Sequence, residues 1–454
     1  MSPLNSLRAQ IAPTIKRYLR DYAAVLGLSR LDDKLIRDPI FGFQRLRCYE
    51  CLIIDSPLFQ RLRGIFQTSV SYLTYPSSIH TRFEHSLNCM NLAGRVVASL
   101  REDFVSITAA VEAEIRLAAL LHDIGHSVFS HGSEFFYRQF QEVQTALTDE
   151  EISGSRASES ECVNYSIITC RQFRELLWDP IKKRCREEEA VRDKYNFLDE
   201  VKLQHVAQMI IGLPPARLPE RRFHAEIING PTDVDKLDYL TRDGYFTGVS
   251  LNVDIDRLLP SFHVDKRRPS EEDLHLVVDH RGIGVVEQLL FARMALYDTV
   301  YHHHKVRAAN AALQSIFYRH SKRPIWPTPS KRLARIADFL EVDEYDFFGS
   351  KQKDKILDKQ IKSLRYRNLP KRALVVMARS LCDQKSHKKW ERWGNALFKR
   401  HPVAQKEISG AIEKLTRRIV YFATKAGAKD LTQYDVFIDI PPGPRIVSGG
   451  MKMG

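Results

Sequence analysis

Apolar residues recur at helical spacing along most of this chain, and strand-like alternation is confined to short segments. The spacing predicts helices at 1–30, 57–66, 111–124, 166–178, 201–211 and 287–301, and basic helices near 306–318, 329–340, 352–364, 371–382 and 406–425. Alternation predicts strands within 34–46, a hairpin of 275–278 with 284–286, and a late strand at 436–440. The Ser- and Glu-rich stretch 141–166 predicts a long loop. The expected architecture is mostly α.

Size and charge suggest a large core with a smaller basic unit. The chain has 454 residues, 44% of them hydrophobic and 28% charged, and a formal net charge of +13. Residues 351–425 carry 21 Lys or Arg against 6 Asp or Glu, a local charge of +15. This segregation favours contact with phosphates, although a solvated helical surface accounts for it equally well. Trp390, Trp393 and Tyr366 among these cations are typical of single-stranded nucleic-acid binding.

Cysteine usage and hydropathy bear on the compartment. The seven cysteines lack the spacing of a disulfide framework, which favours a reduced, cytoplasmic protein. Cys48 and Cys51 form a CxxC pair, but no second pair follows at zinc-finger spacing, so a structural zinc is disfavoured. No run of about 18 apolar residues exists, and no membrane-spanning segment is predicted. The basic stretch 16–20 leaves a mitochondrial presequence as the less favoured alternative.

Four polar fragments inside apolar helices contain the candidate chemistry. They are His80–His85, Leu121–His126, Phe129–His131 and Asp233–Tyr239. The adjacent pair His122-Asp123, with a distant upstream His and a distant downstream Asp, offers two imidazoles and two carboxylates. This mixed nitrogen and oxygen set suits a hydrolytic divalent metal and leaves positions for water and phosphate oxygens.

The imidazoles that follow this pair suit phosphoryl chemistry. His126 comes four residues after His122 and would share its helix face. We expect Gly125 to let the chain leave the helix and bring His131 back over the pocket. An imidazole beside a transferring phosphoryl group can donate or accept a proton near neutral pH. A single His on an apolar helix is usually a core residue, but this cluster beside an Asp favours a metal site.

These motifs resemble the HD-domain phosphohydrolase superfamily and, within it, the deoxynucleoside triphosphate triphosphohydrolases. The resemblance runs from about residue 34 to 305 and rests on Asp38–Ile40, Asp55–Arg63, Tyr75–His85, His122–His126 and Asp233–Asp243. It implies a helical extension at 1–30, an HD phosphohydrolase domain at 31–310, and a basic helical subdomain at 311–454 with a late short strand. It also implies a homo-oligomer that cleaves a dNTP to deoxynucleoside and inorganic triphosphate.

Carried over position by position, the resemblance implies a role for each matching residue. The metal ligands are His85, His122, Asp123 and Asp235, and the ion is Mn, Mg, Fe, Co or Zn. The catalytic residues facing the α-phosphate are His126 and His131. The substrate contacts are Gln67, Arg82, Lys236, Tyr239, Asp243, Arg293 and Tyr297. An activating nucleotide would contact Lys34, Asp55 and Arg63, although these residues could equally form a helix cap and a surface ion pair.

Two positions depart from the family pattern. The stretch 158–162 contains no His where relatives usually place a His-Glu pair, and Phe41 stands where they commonly carry His. A phosphate contact is therefore lost or supplied differently, and slow or conditional activity is compatible with that change. Two other functions stay open. One is an HD phosphodiesterase or nuclease that uses the segment 351–425, and the other is a non-catalytic nucleotide sensor that retains the metal site.

Overall fold

The computed structural model of the chain describes residues 2–28, 30–103, 107–265, 274–319, 325–328, 331–371 and 402–425. Within these ranges the protein is mostly helical, which confirms the predicted fold class. The predicted late strand at 436–440, the predicted helix beyond residue 371, and both tryptophans of the basic segment lie outside the described residues. Among the described helices, none combines the length and the apolar character that a bilayer crossing requires.

Most of the chain's regular structure is α-helix, and the first half alone contains thirteen α-helices among the described residues. They are α1 Pro3–Leu19, α2 Tyr22–Leu26, α3 Cys48–Ile54, α4 Pro57–Gln60, α5 Arg82–Asp103, α6 Ala109–Leu121, α7 His131–Tyr137, α8 Gln141–Ala146, α9 Glu159–Thr169, α10 Arg171–Phe173, α11 Asp179–Glu187, α12 Glu189–Arg192 and α13 Leu203–Ile210. Those that follow are α14 Arg222–Ile228, α15 Val234–Thr247, α16 Ile255–Leu258, α17 Ile283–Leu296, α18 His304–Arg319, α19 Ile336–Phe339, α20 Glu344–Gly349, α21 Lys355–Arg365 and α22 Pro402–Lys425.

Short turns of 3-10 and π-helix connect these helices. The 3-10 turns are Arg61–Gly64, Ser69–Leu73, Glu150–Ile152, Asn196–Asp199, Pro215–Arg217, Pro219–Arg221, Leu259–Ser261 and His280–Gly282, and the π turns are Arg174–Trp178 and Tyr297–Tyr301. Ser56 caps α4 as predicted, since its hydroxyl accepts a hydrogen bond from the Phe59 amide. The predicted helix from residue 57 continues as the first 3-10 turn and ends at Gly64 rather than at residue 66.

The described residues contain three antiparallel two-stranded sheets. The strands are β1 Lys34–Asp38, β2 Gly42–Leu46, β3 Phe262–Val264, β4 Leu276–Val278, β5 Ile325–Thr328 and β6 Lys331–Leu333. Strand structure was predicted within 34–46, and there β1 and β2 pair as an antiparallel hairpin, with Lys34 opposite Leu46 and Asp38 opposite Gly42. Strand β4 pairs with β3 in the register Phe262–Val278 and Val264–Leu276.

Three sequence predictions of local structure were wrong. The segment 284–286 belongs to α17 and not to a hairpin, because Asp279 accepts a hydrogen bond from the Arg281 amide and starts a turn that leads into the helix. The stretch 141–166 is not a long loop, since it contains α8 and most of α9, which Ser158 and Glu161 cap reciprocally. The region 329–340 contains a strand and only one helical turn.

Helix α6 forms the centre of the core. Thr108 caps it by accepting a hydrogen bond from the Val111 amide, and the residues from 112 to 121 are buried on every side. Helix α5 packs along one side of α6 and also contacts α15, while α13 and α14 contact other sides of it. The charged residues Glu112, Glu114 and Arg116 of this buried helix are each paired with an oppositely charged or imidazole side chain, as such a central position requires. The ends of α5, α6 and α15 consequently meet within the core.

Candidate metal and phosphate site

Three helix ends bring the four predicted metal ligands together. His85 lies in the first turn of α5, and Asp235 lies in the first turn of α15. His122 and Asp123 follow the last residue of α6, and His122 is its C-cap. Asp233 caps α15 by accepting a hydrogen bond from the Lys236 amide, which fixes the start of that helix.

The four side chains direct their donor atoms toward one centre. His85 Nε2 lies 3.2 Å from His122 Nε2, 3.1 Å from Asp235 Oδ1 and 3.5 Å from Asp123 Oδ2. His122 Nε2 lies 3.5 Å from the same Asp123 oxygen and 3.8 Å from Asp235 Oδ1. Ligand atoms about 2.1 Å from one ion lie roughly 3.0 Å apart at a right angle and roughly 3.4 Å apart at the tetrahedral angle. The residues therefore fit a divalent metal.

The two carboxylates of this group carry the charge that a cation requires. Burial opposes ionisation of Asp123, but the Arg82 guanidinium 2.6 Å away and the neighbouring imidazoles hold its pKa well below the ordinary value. Burial also opposes ionisation of Asp235, and the contacts with His85 and His122 lower its pKa. Both side chains are ionised at neutral pH.

A second layer of polar residues orients His85. Its Nδ1 lies 2.6 Å from Asp238 Oδ2, which leaves Nε2 to face the metal centre. The fully buried Asp238 also accepts hydrogen bonds from Asn88 Nδ2, at 2.7 Å, and from Arg242. Arg242 in turn donates to Asp38 at the end of β1, at 2.9 Å. This chain of contacts ties the β1–β2 hairpin to the ligand on α5.

A thiol lies beside the ligand group. Cys89 is fully buried, and its Sγ lies 3.6 Å from His85 Nδ1 and 3.7 Å from His85 Nε2. It forms a possible metal group with His85, His122 and Asp235, whose donor atoms all lie within 4.8 Å of one another. Burial raises the pKa of this thiol to about 12, so the carboxylate of Asp123 is the better donor. Its spacing of four residues from His85 on a helix could have indicated the contact from sequence.

The turn that follows α6 is held by two polar side chains from distant parts of the chain. The buried amide of Asn164 accepts a hydrogen bond from the Gly125 amide at 2.5 Å and donates to the His122 carbonyl. Arg61 donates to the carbonyls of His126, at 2.7 Å, and of Ile124. We call residues 122–126 the HD turn. These contacts satisfy the carbonyl and amide groups that the end of α6 leaves free.

The reason for a glycine at position 125 differs from the sequence prediction. Its φ is not positive, and the helix has already ended at Leu121. A Cβ on Gly125 would lie 2.5 Å from Asn164 Oδ1 and 2.9 Å from the Asn164 backbone nitrogen. The glycine is therefore required by a close approach. Positive φ angles occur instead at Phe129, 65°, and Ser130, 46°, where the chain turns to bring His131 back.

The two predicted catalytic histidines lie together with a carboxylate that sequence reasoning missed. His126 Nε2 lies 3.2 Å from Asp123 Oδ1, and the rings of His126 and His131 are 5.2 Å apart. Glu134 Oε2 lies 3.0 Å from His131 Nδ1, and Glu134 accepts a hydrogen bond from Ser160 at 2.6 Å. Glu134 follows His131 by three residues on α7, a helical spacing that could have revealed it.

The two histidines differ in charge. Burial and the nearby Arg82 lower the pKa of His126 to about 4, so it is neutral at physiological pH. The charge of Glu134 raises the pKa of His131 above its ordinary value and favours its protonated form. Ser160 lies in the stretch where the sequence lacks the family's His, and its hydroxyl contacts the carboxylate that pairs with His131.

Arg82 is buried beside the ligands and keeps one free donor. Its Nη1 donates to Asp123 Oδ2 at 2.6 Å, and its Nε donates to Ser130 Oγ at 3.1 Å. Its Nη2 has no acceptor among the described residues, although the side chain is only 3% exposed. A buried guanidinium with an unpaired N–H is a suitable partner for a phosphate oxygen.

The carboxylate of Asp243 is held in place by two residues, His80 and Tyr301. His80 Nε2 lies 2.7 Å from one carboxylate oxygen, and the Tyr301 hydroxyl donates to the other at 2.5 Å. His80 stacks on Phe246 with the rings 4.7 Å apart. Gln67 is also buried. Its backbone amide donates to the His80 carbonyl at 2.9 Å, and its side-chain Oε1 has no partner among the described residues.

Four predicted substrate residues lie together along α15 and α17. Lys236 donates to the Gly230 carbonyl at 2.8 Å and to Asp233, so its ammonium group is turned toward the start of α15. Burial is the main cause of the raised pKa of Tyr239. The charge of Asp235 raises this pKa further, and the charge of Arg293 lowers it. The guanidinium of Arg293 lies 5.6 Å from the Tyr297 ring centre, and Tyr297 packs edge-on against Tyr301 at 5.2 Å. Lys236 follows the candidate ligand Asp235 directly on α15, which places this group beside the candidate metal centre.

The predicted activator residues form contacts of their own. Lys34 Nζ lies 3.0 Å from Asp55 Oδ2, and both side chains are about half exposed, at 50% and 47%. Arg63 donates to Gln60 at 2.8 Å and lies 3.6 Å over the ring of Phe83. The sequence alternative had Asp55 and Arg63 as a helix cap and a surface ion pair; the surface ion pair present is between Lys34 and Asp55, whereas Arg63 pairs with Gln60.

Two protein-family models match parts of this chain. An HD-domain family model matches residues 82–157, which contain three of the four ligands, and a model for an HD-associated region matches residues 253–453. The chain is an HD-domain protein. The resemblance given by its motifs is confirmed, and the domain boundaries drawn from the sequence stay a prediction.

Several curated relatives of this HD-domain protein are known. It is 32% identical to an uncharacterized protein of Methanocaldococcus jannaschii over 62% of this chain and 48% of that one. It is 27% identical to the deoxynucleoside triphosphate triphosphohydrolase SAMHD1 homolog of Dictyostelium discoideum, over 76% and 60% of the two chains. The identity to SAMHD1 of Homo sapiens is also 27%, over 60% and 42%. The chain thus spans about half the length of these relatives.

A solved structure shares the fold. The crystal structure of a hypothetical protein from Aquifex aeolicus superimposes with a TM-score of 0.56 at 25% identity. The match covers 82% of this chain and 83% of that one. The two proteins therefore share a fold over most of the length of both chains.

Proposed function

We propose that this HD-domain protein is a metal-dependent phosphohydrolase that cleaves dNTPs to deoxynucleoside and inorganic triphosphate. One observation carries the proposal. The unpaired Nη2 of buried Arg82 lies on the guanidinium that also contacts the metal ligand Asp123. A phosphate held by the metal centre would therefore meet a pre-oriented cation on the same side. The similarity to proteins named as deoxynucleoside triphosphate triphosphohydrolases supports this substrate class.

The metal would be held by His85, His122, Asp123 and Asp235. Bound there, it would act as a Lewis acid toward a phosphate oxygen and would lower the pKa of a coordinated water. The donors are nitrogen and oxygen, so Mn, Mg, Fe, Co and Zn all remain compatible with the site. The two ionised carboxylates neutralise the charge of a divalent ion.

The protein's own groups would position the α-phosphate and move the proton. Arg82 would bind an oxygen of this phosphate through its free N–H, and neutral His126 would donate its Nε2–H to the ionised Asp123 and hold that carboxylate in place. His131, held by Glu134 at 3.0 Å, would donate a proton to the leaving 5′-oxygen of the deoxynucleoside. Lys236 and Arg293 would bind the remaining phosphates. Cleavage at the α-phosphate then leaves the triphosphate intact.

The sugar would lie against the aromatic side of the site. Tyr239 borders the ligand Asp235, and Asp243 is held rigidly between His80 and Tyr301. A rigid carboxylate can accept a hydrogen bond from the 3′-hydroxyl, while the crowded ring beneath leaves little room for a 2′-hydroxyl. Selectivity for deoxynucleotides would follow from this exclusion.

The first experiment removes the metal ligands. The variant His122→Ala Asp123→Ala should lose metal binding in calorimetry and hydrolysis of every dNTP, while circular dichroism stays native. The control is His205→Ala, which removes another buried histidine, 3.0 Å from Glu114 and outside the site. Wild-type rates in the double variant would refute the metal assignment.

A second experiment identifies the bond that is cleaved. Each dNTP, alone and in mixtures, is incubated with Mg²⁺, Mn²⁺ or Co²⁺, and the products are separated by ion-exchange chromatography. Deoxynucleoside and triphosphate should appear together from the first turnover. A first product of dNMP with pyrophosphate, or of dNDP with phosphate, would show that the pocket orients its substrate differently from the proposal.

We also propose that bound nucleotide regulates assembly through Lys34, Asp55 and Arg63. A phosphate could replace Asp55 as the partner of Lys34, and the exposed carboxylate could then bind a base edge. Added dNTP should raise the mass measured by light scattering, because ligand binding and oligomer formation are linked. A mass that is independent of every dNTP at millimolar concentration would contradict this regulation.

A second candidate function is nucleic-acid binding by the basic segment. On α21 the side chains of Lys355, Lys359 and Lys362 border one groove with the 71% exposed ring of Tyr366. Lysines beside an exposed ring suit single-stranded nucleic acid. The logarithm of the affinity for a single-stranded DNA should then fall linearly with the logarithm of the salt concentration, with several counterions released. A steep slope together with a dNTP-independent mass would favour the nuclease alternative.

A further inference from the structure

A segment from the C-terminal half of the chain reaches into the wall of the candidate site. We call residues 343–348 the clamp segment, which comprises the N-cap and most of α20. The Cβ that an alanine would have at Gly64 would lie 2.6 Å from Asp343 Oδ2, so the chain around Gly64 fits closely against this segment. The exposed ring of Tyr345 lies 5.9 Å from the ring of Phe66.

Glu344 makes the deepest contacts of the clamp segment. Its side chain is buried, with the residue only 1% exposed, and Oε1 accepts hydrogen bonds from the amides of Phe66, at 3.1 Å, and Phe129, at 2.8 Å. No described cation pairs with it, and Oε2 has no partner among the described residues. One oxygen thus connects two loops that are 63 residues apart in sequence, at 66 and 129.

The loop at Phe129 needs such support. Phe129 and Ser130 both have left-handed φ angles, 65° and 46°, which residues with a Cβ rarely adopt. Strained backbone of this kind persists only where the surrounding structure determines it. The rings of Phe347 and Phe348 pack edge-on against the ring of Phe129, at 4.8 and 5.4 Å. The clamp segment therefore holds both the amide and the side chain of a strained residue.

This turn sets the position of two site residues. Ser130 Oγ donates to the Phe66 carbonyl at 2.6 Å and accepts from Arg82 Nε at 3.1 Å. The next residue, His131, begins α7. A shift of the turn would move the acceptor of the Arg82 guanidinium and the imidazole of His131 together, and misplacement by about 1 Å can cost on the order of 100-fold in rate.

We propose that Glu344 is a positioning residue that holds the strained Phe129–Ser130 turn, and through it Arg82 and His131, in the geometry for catalysis. The inference rests on the proposed function and deepens it. It makes the C-terminal region a part of the active-site wall rather than an independent basic appendage. Glu344 hydrogen-bonds to none of the four candidate metal ligands and reaches Asp123 only indirectly, through Ser130 and Arg82, so catalysis should be affected far more than metal binding.

The protonation state of Glu344 suits this role. Its pKa is raised to about 8, chiefly by burial and in part by the charge of Asp343. The hydrogen bonds from the two amides lower the pKa and offset only part of this rise. The other titratable group that faces it is Tyr72, whose pKa burial raises to about 12. The carboxyl group is therefore largely neutral at pH 7, and glutamine reproduces both its shape and its acceptor oxygen.

The test compares two variants of nearly equal volume. Glu344→Gln keeps the acceptor oxygen, and Glu344→Met replaces it with apolar atoms. In the Met variant kcat for dNTP hydrolysis should fall by about tenfold to a hundredfold, while the metal dissociation constant changes by less than about twofold. The Gln variant should restore the rate to within about threefold of wild type. Hydrogen exchange by mass spectrometry should show faster exchange of the Phe66 and Phe129 amides in the Met variant alone.

Each outcome decides the inference. Unchanged exchange at both amides in the Met variant would overturn it, as would a Gln variant that exchanges and hydrolyses like the Met variant. Equal losses of metal affinity and kcat would also overturn it, because they indicate general loosening of the site. If wild type hydrolyses no dNTP, the proposed function fails, and the exchange comparison still decides whether Glu344 holds the turn. Should the Met variant not fold, Glu344→Asp, whose carboxyl group is drawn back by one methylene, serves in its place.

Discussion

Replacing Asn164 with alanine is expected to release the HD turn and weaken metal binding at a distance from the metal. Asn164 lies on α9, is 1% exposed, and touches no ligand side chain. Its amide group is nevertheless the partner of both the His122 carbonyl and the Gly125 amide. The first of these groups belongs to the candidate metal ligand His122, and the second lies two residues after the candidate ligand Asp123.

The expected magnitude follows from these two hydrogen bonds. A buried backbone group that loses its partner costs about 1 to 3 kcal/mol. Two such groups give a loss of roughly 2 to 6 kcal/mol in the free energy of unfolding, and water entering the space left by the side chain would reduce the loss toward the lower end. Loss of a residue that orients metal ligands typically costs about 10- to 100-fold in metal affinity.

The assay combines urea denaturation with calorimetric titration of Mn²⁺. The control is Ser166→Ala, on the same helix and equally buried, whose hydroxyl donates only to the Cys162 carbonyl one turn earlier at 2.8 Å. The control should lose about 1 kcal/mol or less and keep its metal affinity. An Asn164→Ala variant with the stability and the metal affinity of the control would refute the reasoning.

Three further predictions concern other contacts of the site. Gly125→Ala should destabilise the protein by about 1 to 3 kcal/mol in denaturant titration, since the new Cβ would meet Asn164 Oδ1 at 2.5 Å. Tyr301→Phe should raise KM for dNTPs by about tenfold, because one oxygen of Asp243 loses its donor. Because Glu344 has its pKa raised from 4.5 to about 8 on folding, its contribution to stability is complete below pH 4.5 and is lost as pH rises through 8. Thermal melts from pH 5 to 9 should therefore fall less steeply in Glu344→Gln than in wild type.

The grouping of the four predicted metal ligands could be anticipated from the sequence because they lie in short polar islands within apolar helices, while their role as ligands stays a prediction. His122 and Asp123 are adjacent in sequence, and the apolar run before them predicts a buried helix that ends at that point. His85 and Asp235 each lie within the first turn of another helix, where a change from polar to apolar pattern is easy to recognise.

The residues that support the ligands could not be found in this way. Asn164 lies 39 residues after its partner Gly125, and Glu344 lies 215 residues after its partner Phe129. In the local sequence Asn164 looks like any residue inside a helix, and Glu344 looks like any residue at the start of one. Backbone strain at Phe129 was equally hidden, since the sequence offered Gly125 as the obvious turn residue. Local patterns contain no information about which distant side chain approaches a given amide. Glu134 and Cys89, by contrast, could have been inferred from helical spacing alone.

The contacts of the clamp segment have a consequence for synthesis on the ribosome. Glu344 accepts a hydrogen bond from the amide of Phe129 across 215 residues, and Glu341, two residues before the clamp segment, accepts one from Thr14 on α1 across 327 residues, at 2.7 Å. Contacts of such sequence separation form late, after a costly loop closure. A nascent chain that already contains all four metal ligands would therefore still lack the support for its Phe129–Ser130 turn until residue 348 has left the exit tunnel. The protein would acquire its ligand set early in translation and its working geometry only near the end.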